Sequence, residues 1–384
     1  MAAPAGRSPE LAEILRAHAP PLEHLGHYQR RVVRDIINCR TAVLGGHLQV
    51  CDRCGHQTPV YNSCRNRHCP KCQNLDQARW VQARRRDLLP VPYFHVVFTV
   101  PPSLHPFFLA DRRRSYDLLF ATAMEALHAV CRRRLGLRPG TVAILHTWSQ
   151  TLLFHPHLHC IVTGGGLNAA ADRWVAARPN FLVPVRALSR VFRGKLLHRL
   201  AGAIPRGSLR PAGAAGLRQL RQAAAREWVV YSKPPLAGPA QVLRYLSRYT
   251  HRIAIGNERL LALHQQRVTF AYRDRRRGGR RRRLTIAARE FTRRFLLHIV
   301  PHGFVRVRHF GLQANGCRRT RLDRARELLG SPVLPTAPEP VARPSWKDLY
   351  REITGRDPDL CPECGRGLLR VVAFLPPHHA GRGP

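Results

Sequence analysis

Two closely spaced cysteine pairs near the N-terminus restrict the fold of this chain more than any other feature. Cys51 and Cys54 form one CxxC motif, and Cys69 and Cys72 form a second, with fourteen residues between the pairs. Each CxxC turn can bring two thiolates onto one zinc ion, and four thiolates complete a closed tetrahedral site. The spacing therefore predicts one structural zinc that holds residues 51–72 in a compact module.

Further cysteines and histidines leave alternatives to this assignment. A third CxxC motif, Cys361 and Cys364, is only half of a tetrahedral site. His378 and His379 could complete it, although neighbouring side chains rarely both reach one ion; otherwise it is a truncated knuckle or one that a partner completes. Three residues could each replace one cysteine of the N-terminal site: His56, Cys64 and His68.

The charge of the chain is strongly positive. Lys and Arg number 64 against 23 Asp and Glu, which gives a formal net charge of +41 at pH 7. Such a surface repels itself unless a polyanion neutralises it, and nucleic acid is the common polyanion. The 44% hydrophobic content is that of a globular protein and excludes wholesale disorder. We therefore expect a folded protein whose partner is DNA.

The N-terminal sequence predicts an intracellular protein. Glu10 and Glu13 occupy the region where a signal peptide needs an apolar run, and no stretch approaches the ~18 apolar residues of a membrane span. In the cytoplasm cysteines stay reduced, which favours metal binding over disulfides. The expected location is the cytoplasm, in association with DNA and without a membrane partner.

Two histidines share one face of a predicted strand. His157 and His159 lie two residues apart in the segment FHPHLHCIVTGGG, so both point to the same side of the sheet. Two imidazoles there can hold a metal ion if one or two further ligands join them. Gln150, at the end of the preceding predicted strand, is the first choice. Three histidines follow it as alternatives: His95, His146 and His155.

A predicted helix, starting near Gly238, carries two tyrosines one turn apart. Tyr245 and Tyr249 are spaced i, i+4 and so share one helix face. A second stripe beside them consists of Arg244, Arg248 and Arg252. A tyrosine pair alone is typical of core packing, but together with a metal platform it indicates phosphodiester cleavage by a protein nucleophile. The phosphotyrosine link stores the bond energy, so no nucleotide cofactor is required.

These motifs resemble the insertion sequence 91 family, the two-tyrosine HUH transposases of bacteria. The segments that carry the resemblance are CRNRHCPKCQ, HVVFTVP, HTWSQTLLFHPHLHCIVTGGG, FRGKLL, WVVYSKPP, YLSRYTHRIAI and FVRVRHFG. The resemblance implies rolling-circle transposition through single-stranded DNA, with magnesium or manganese at His157 and His159 and with Tyr245 and Tyr249 as nucleophiles. Two tyrosines allow two successive strand transfers; we slightly favour Tyr249 for the first cleavage.

The resemblance also implies an α+β fold, in which an antiparallel sheet flanked by helices forms the HUH endonuclease core. We expect three parts: a helical and zinc-binding domain over residues 1–90, the two-tyrosine nuclease over 91–325, and a Pro-rich linker with a small CxxC tail over 326–384.

Arginine runs are the expected contacts to the backbone of single-stranded DNA, whose source would be the ends of a mobile element. The most basic run, Arg275–Arg283, is predicted to be a turn; the first three candidates in it are Arg275, Arg276 and Arg277. Two other functions fit the residues. One is a rolling-circle replication initiator with the same chemistry, and the other is a non-catalytic, zinc-dependent nucleic-acid-binding protein.

Overall fold

The computed structural model of the chain describes residues 7–203, 211, 213–236, 241–242, 253–274, 278–332 and 345–378. Within these ranges the protein has the expected α+β fold, with antiparallel sheets flanked by helices. The helices are α1 (Leu11–His18), α2 (His27–Asn38), α3 (Gln73–Arg85), α4 (His105–Ala110), α5 (Arg112–Leu135), α6 (Val185–Ala203), α7 (Gly213–Ala224), α8 (Ala288–Leu297), α9 (Arg318–Leu328) and α10 (Trp346–Thr354).

The strands form three sheets. Their bounds are β1 (Gly46–Cys51), β2 (Gln57–Tyr61), β3 (Tyr93–Thr99), β4 (Arg138–Trp148), β5 (Phe154–Leu167), β6 (Trp174–Ala176), β7 (Val230–Leu236), β8 (Leu260–His264), β9 (Arg267–Asp274), β10 (Arg280–Ala287), β11 (Val307–Phe310) and β12 (Leu369–Leu375). The largest sheet has six strands in the order β11-β4-β5-β3-β7, with β6 paired to β5, and all its pairs are antiparallel.

The two faces of this central sheet differ in chemistry because side chains alternate along each strand. On β3, Phe94, Val96 and Phe98 point to one face and belong to the main core with α4, α5 and α6. Tyr93 and His95 point to the opposite face. The buried imidazole of His95 therefore lies on the side of the central sheet that α5 and α6 do not cover.

The helical segment that follows β3 is divided into α4 and α5 at Asp111. The Asp111 carboxylate caps α5 by accepting a hydrogen bond from the backbone N–H of Arg114 at 3.0 Å. Gly136 ends α5 in the left-handed conformation, with φ of 65°. These two caps place α5 along the sheet, where it packs against α6.

A second core joins the N-terminal helices to a segment far along the chain. Leu11, Ile14 and Val32 from α1 and α2 are buried with Phe270 of β9 and Phe291 of α8. The three-stranded sheet of this unit has the order β10-β9-β8. The division of the chain at residue 90 stays a prediction, but the apolar faces of α1 and α2 are covered by residues of the 254–299 region.

The predicted basic turn over Arg275–Arg283 is wrong in its second half. Arg280–Arg283 form the first half of strand β10 and pair with β9, with Arg280 opposite Asp274. Gly278 and Gly279 take the turn, both with positive φ. The arginines lie in a strand because every second residue of β10, from Leu284 onward, faces the second core.

The C-terminal segment returns to the N-terminal region. Strand β12 pairs antiparallel with β1, whose other edge carries β2, so the third sheet has the order β12-β1-β2. Helix α10 contacts α3. Among the described residues, no helix combines the length and the hydropathy that crossing a membrane requires.

Candidate metal centres

Three histidines of the central sheet form one cluster on the face away from α5. The ring nitrogens of His146, His157 and His159 all lie within 4.8 Å of one another. His146 and His159 are buried, with 3% and 4% of their surface exposed, and His157 is partly buried. We call these three residues the histidine cluster.

The strand pairing explains why these residues meet. His157 and His159 are two positions apart on β5 and share a face, as the sequence predicts. His146 of β4 lies directly opposite His157 in the antiparallel register. Residues that face each other in such a pair have side chains on the same side of the sheet. His146, one of the alternatives for the third ligand, is therefore the histidine that the register brings to the pair.

The imidazole rings of His157 and His159 are each oriented by a contact to their Nδ1 atom. The Nδ1 atom of His157 lies 2.6 Å from the backbone oxygen of His155, which can only accept, so Nδ1 carries the proton. The Nδ1 atom of His159 lies 2.9 Å from Nε2 of His95, and the two rings stack with centroids 5.1 Å apart. Holding Nδ1 in this way directs Nε2 toward a ligand site, which is the usual arrangement of metal-binding histidines.

The separation of the two Nε2 atoms fits a divalent cation. Nε2 of His157 and Nε2 of His159 are 3.1 Å apart. Two adjacent ligands at 90° and 2.1 Å from an ion are about 3.0 Å apart. When His159 also carries its proton on Nδ1, two lone pairs face each other at this distance, an arrangement that a cation between them stabilises. The donors present thus fit a divalent metal ion.

Gln150, the first choice for the third ligand, has other partners. Its side-chain oxygen accepts a hydrogen bond from the backbone N–H of Arg273 at 3.4 Å, and its backbone oxygen accepts one from Arg259 at 2.5 Å. These contacts connect the end of β4 to the β8–β9 hairpin. His95 lies beside His159 as its hydrogen-bond partner, and His155 supplies its carbonyl to His157.

Several predicted site residues lie outside the described residues. They are Tyr245, Tyr249, Arg244, Arg248, Arg252, Arg275, Arg276 and Arg277. The described residue nearest to the tyrosines on their N-terminal side is Val242. It is fully buried, in a cluster with Tyr93, Ile144 and Ile161. All three of those residues lie on the face of the central sheet that carries the histidine cluster.

The predicted zinc site of Cys51, Cys54, Cys69 and Cys72 is wrong as a single site, because its two CxxC pairs belong to different clusters. The first cluster consists of Cys39, Cys64, Cys69 and Cys72. Cys64 was a candidate from the sequence, whereas Cys39, at the end of α2, was missed. Cys39 stands alone in the sequence, without a CxxC partner, and only the packing of α2 brings it to the others.

The geometry of this first cluster fits a tetrahedral metal. Sγ of Cys72 lies 3.5 Å from Sγ of Cys39 and 3.7 Å from Sγ of Cys64. Four sulfurs at 2.3 Å from one zinc are about 3.8 Å apart. Hydrogen bonds from Cys39, Cys64 and Cys69 lower the pKa of Cys72 below its usual range. Cys72 is also the N-cap residue of α3, a position where the helix dipole favours a thiolate.

The second cluster joins the two ends of the chain. It consists of Cys51, Cys54, Cys361 and Cys364, so the CxxC pair of the tail completes the site of the first N-terminal pair. Sγ of Cys51 lies 3.7 Å from that of Cys364, and Sγ of Cys54 lies 3.8 Å from that of Cys361. His378 and His379 are not needed for a four-thiol site.

Comparison with known proteins finds two families, of which the first is described as zinc-binding. Residues 11–100 match the family described as "Transposase zinc-binding domain", and residues 140–321 match the family described as "Putative transposase". The first region contains one whole cysteine cluster, and the second contains the histidine cluster. No solved structure matches the chain.

Two relatives extend the similarity over nearly the whole length. The chain is 44% identical over 384 residues to "Putative transposase y4qJ" of Sinorhizobium fredii (strain NBRC 101917 / NGR234), covering 96% of each chain. It is 26% identical over 358 residues to "Transposase for insertion sequence element IS801" of Pseudomonas savastanoi pv. phaseolicola, covering 89% of this chain and 83% of the relative. The fold and both comparisons define a transposase, a class of enzyme that cleaves DNA. The chain belongs to the insertion sequence 91 family of transposases.

Proposed function

We propose that this transposase cleaves single-stranded DNA by attack of a tyrosine on a phosphodiester, in a reaction that needs a divalent metal ion at the histidine cluster. The observation that carries the proposal is the pair of Nε2 atoms of His157 and His159, 3.1 Å apart on one sheet face, with His146 beside them. A cation held there would neutralise charge on the phosphate oxygens and polarise the phosphorus. Magnesium and manganese are the proposed ions.

The chain's own residues hold this site rigidly. The three imidazoles come from neighbouring strands in the middle of the sheet, and Ile144 and Ile161 beside them are buried. His95 and the carbonyl of His155 fix the ring orientations. Ligands on rigid strands keep their geometry better than ligands on loops, which lowers the reorganisation needed when phosphate binds.

Tyr245 and Tyr249 are the proposed nucleophiles. Val242, three residues before Tyr245, is buried on the histidine face of the sheet. In the helix that the sequence predicts, residues 242, 245 and 249 share one face. The proposal therefore brings the two phenols to the side of the sheet on which the histidine cluster lies.

The proposed reaction is a transesterification. The phenol oxygen of one tyrosine bonds to phosphorus, and the bond from phosphorus to the 3′ oxygen breaks. The phenol loses its proton and the leaving 3′ oxygen gains one, so the products are a 5′-phosphotyrosine and a free 3′ hydroxyl. Attack of a 3′ hydroxyl on the phosphotyrosine reverses the step and joins the strand to a new end without a nucleotide.

Two tyrosines suit the two cleavages of rolling-circle transposition. One phenol keeps the first 5′ end attached while the other cuts a second phosphodiester, so that the first end is never released. The net charge of +41 supports a long contact with the DNA backbone. The proposed substrate is therefore the single-stranded DNA at the ends of the element that encodes the protein.

Covalent capture on a denaturing gel tests this proposal. Purified protein is mixed with labelled single-stranded oligonucleotides from the element ends, with and without manganese. We expect a labelled protein band that requires the metal, persists with either single Tyr→Phe change, and disappears in the double variant Tyr245→Phe/Tyr249→Phe. The band should also disappear in His157→Ala/His159→Ala.

Matched variants separate chemistry from folding. Tyr272→Phe on β9 and His264→Ala on β8 remove the same groups from a different sheet and should keep the adduct. A wild-type protein that binds these oligonucleotides but forms no adduct in manganese would contradict tyrosine chemistry. An adduct that survives in the double tyrosine variant would assign the nucleophile to another residue.

A further inference from the structure

We propose that Cys51, Cys54, Cys361 and Cys364 bind a second structural zinc ion, which fastens the C-terminal segment of the chain to its N-terminal region. We call this site the zinc clasp. Its two halves are 313 positions apart in the sequence at Cys51 and Cys364. Cys361 and Cys364 lie outside both regions that match known families, which end at residues 100 and 321. The proposal does not depend on the nuclease chemistry.

The two halves of the clasp have the same local structure. In CDRCG, the N–H of Gly55 donates to the carbonyl oxygen of Cys51 at 3.1 Å, and in CPECG the N–H of Gly365 donates to that of Cys361 at 3.0 Å. Both glycines adopt positive φ, 69° and 62°. Each half is thus a tight turn that presents two thiols on one side, and the turns face each other.

Backbone N–H groups point at the sulfurs. The Sγ atom of Cys51 accepts from the N–H groups of Arg53 and Cys54 at 3.4 and 3.5 Å, and Sγ of Cys364 accepts from Gly367 at 3.3 Å. Such donors stabilise the thiolate form, which is the form that binds zinc. With sulfur separations of 3.7 and 3.8 Å across the two halves, the cluster fits a tetrahedral zinc and is too wide for a disulfide.

The approach of the two halves leaves no space for an extra carbon. A methyl group at Gly367 would collide with Sγ of Cys51. The contact is completed by Asp52, whose N–H donates to the oxygen of Leu368 at 3.1 Å and whose carboxylate accepts from the N–H of Leu368 at 2.8 Å. Gly367 is therefore required for the clasp to close, although its φ is not positive.

The tail has little apolar surface to hold it in place. In residues 345–378, Leu349 and Cys361 are the buried apolar side chains, whereas Val371, Val372 and Phe374 on β12 are exposed. Pairing between β12 and β1 leaves one sheet with few buried residues on either face. A segment of this kind depends on a metal or a disulfide for its stability. The clasp is the group that fixes β12 and α10 to the N-terminal region.

Metal analysis of the full-length protein tests the proposal. We expect two zinc ions per chain in the wild type and one in Cys361→Ser/Cys364→Ser. The control Cys131→Ser/Cys317→Ser removes two cysteines outside both clusters and should keep two zinc ions. Limited proteolysis should release the C-terminal segment from the clasp variant much faster than from wild type or control.

Two further measurements keep the test decisive if the clasp variant is poorly folded. Gly367→Ala should lower the zinc content toward one, while Gly316→Ala, where a methyl group meets open space, should keep two. X-ray absorption spectra at the zinc edge of the wild type should show that all the zinc ligands are sulfur atoms. A wild type with one zinc ion, or two zinc ions retained in Cys361→Ser/Cys364→Ser, would overturn the proposal.

Discussion

His95 is expected to set the metal affinity of the histidine cluster without touching the metal. Its Nε2 atom lies 2.9 Å from Nδ1 of His159, and its ring stacks on that of His159. Replacing it in His95→Ala leaves Nδ1 of His159 without this partner and opens space into which the ring can rotate. The Nε2 atom of His159 would then no longer be held 3.1 Å from that of His157.

The size of the effect follows from the loss of this orientation. Removing the second partner of a metal-binding histidine weakens metal binding about 10- to 100-fold, which corresponds to about 1.4 to 2.7 kcal/mol. His95→Gln places an amide group near the position of Nε2 and should recover most of the affinity. His159→Ala removes the ligand itself and should abolish binding in the measured range.

Calorimetric titration with manganese is the assay, and the yield of the covalent adduct at limiting manganese is a second readout. Both His95→Ala and the control Val96→Ala remove a buried side chain of β3, so each should lose folding stability on the order of 2 kcal/mol. Only the His95 change should weaken manganese binding. Equal manganese affinity in His95→Ala and wild type would refute the positioning role and leave His95 as a packing residue.

Three other changes test separate parts of the protein. Arg281→Ala/Arg283→Ala, at exposed positions of β10, should reduce the slope of log affinity against log salt for single-stranded DNA by about 1.4; an unchanged slope would exclude this surface from the contact. Burial lowers the pKa of His298 to about 4, so in the folded state this imidazole stays neutral at pH values where a histidine with the usual pKa of 6.5 is protonated. The free energy of unfolding is therefore highest above pH 6.5 and decreases as the pH falls toward 4, by about 2 kcal/mol at pH 5. Urea unfolding should show this decrease, and His298→Gln should reduce it. Cys39→Ser should lower both zinc content and thermal stability, while Cys317→Ser should change neither; a full zinc content in Cys39→Ser would contradict the first cluster.

The sequence predicts the histidine pair well because strand periodicity is local. Spacing by two residues is enough to put His157 and His159 on one face. The third ligand depends on the register between two strands, which a single sequence does not reveal. His146 was one of several candidates for a third ligand, and only its position opposite His157 places it beside the pair. Gln150 is close in sequence, but the chain turns at the end of β4 and directs its side chain to Arg273.

The cysteine clusters show what local sequence spacing cannot predict. CxxC spacing marks four of the clustered cysteines as candidate metal ligands but says nothing about which pairs could share an ion. Cys69 and Cys72 pair with Cys39 and Cys64, and Cys51 takes its partners from the tail. The deciding contacts are the packing of α2 and the pairing of β1 with β12, both of which connect distant parts of the chain. Two CxxC motifs that lie near each other in the sequence therefore need not belong to the same cluster.

The central sheet explains how one scaffold can carry both stability and chemistry. Its α5 face contributes Phe94, Leu145 and Leu158 to the main apolar core, which stabilises the sheet from that side. The other face is apolar around Tyr93 and Ile161 and becomes polar at His146 and His159. In the proposed reaction, phosphate would bind at the polar part, next to the apolar part in which Val242 is buried. Phosphate bound beside the apolar part would be partly shielded from water, and a partly dry site strengthens the interaction between a metal ion and the phosphate.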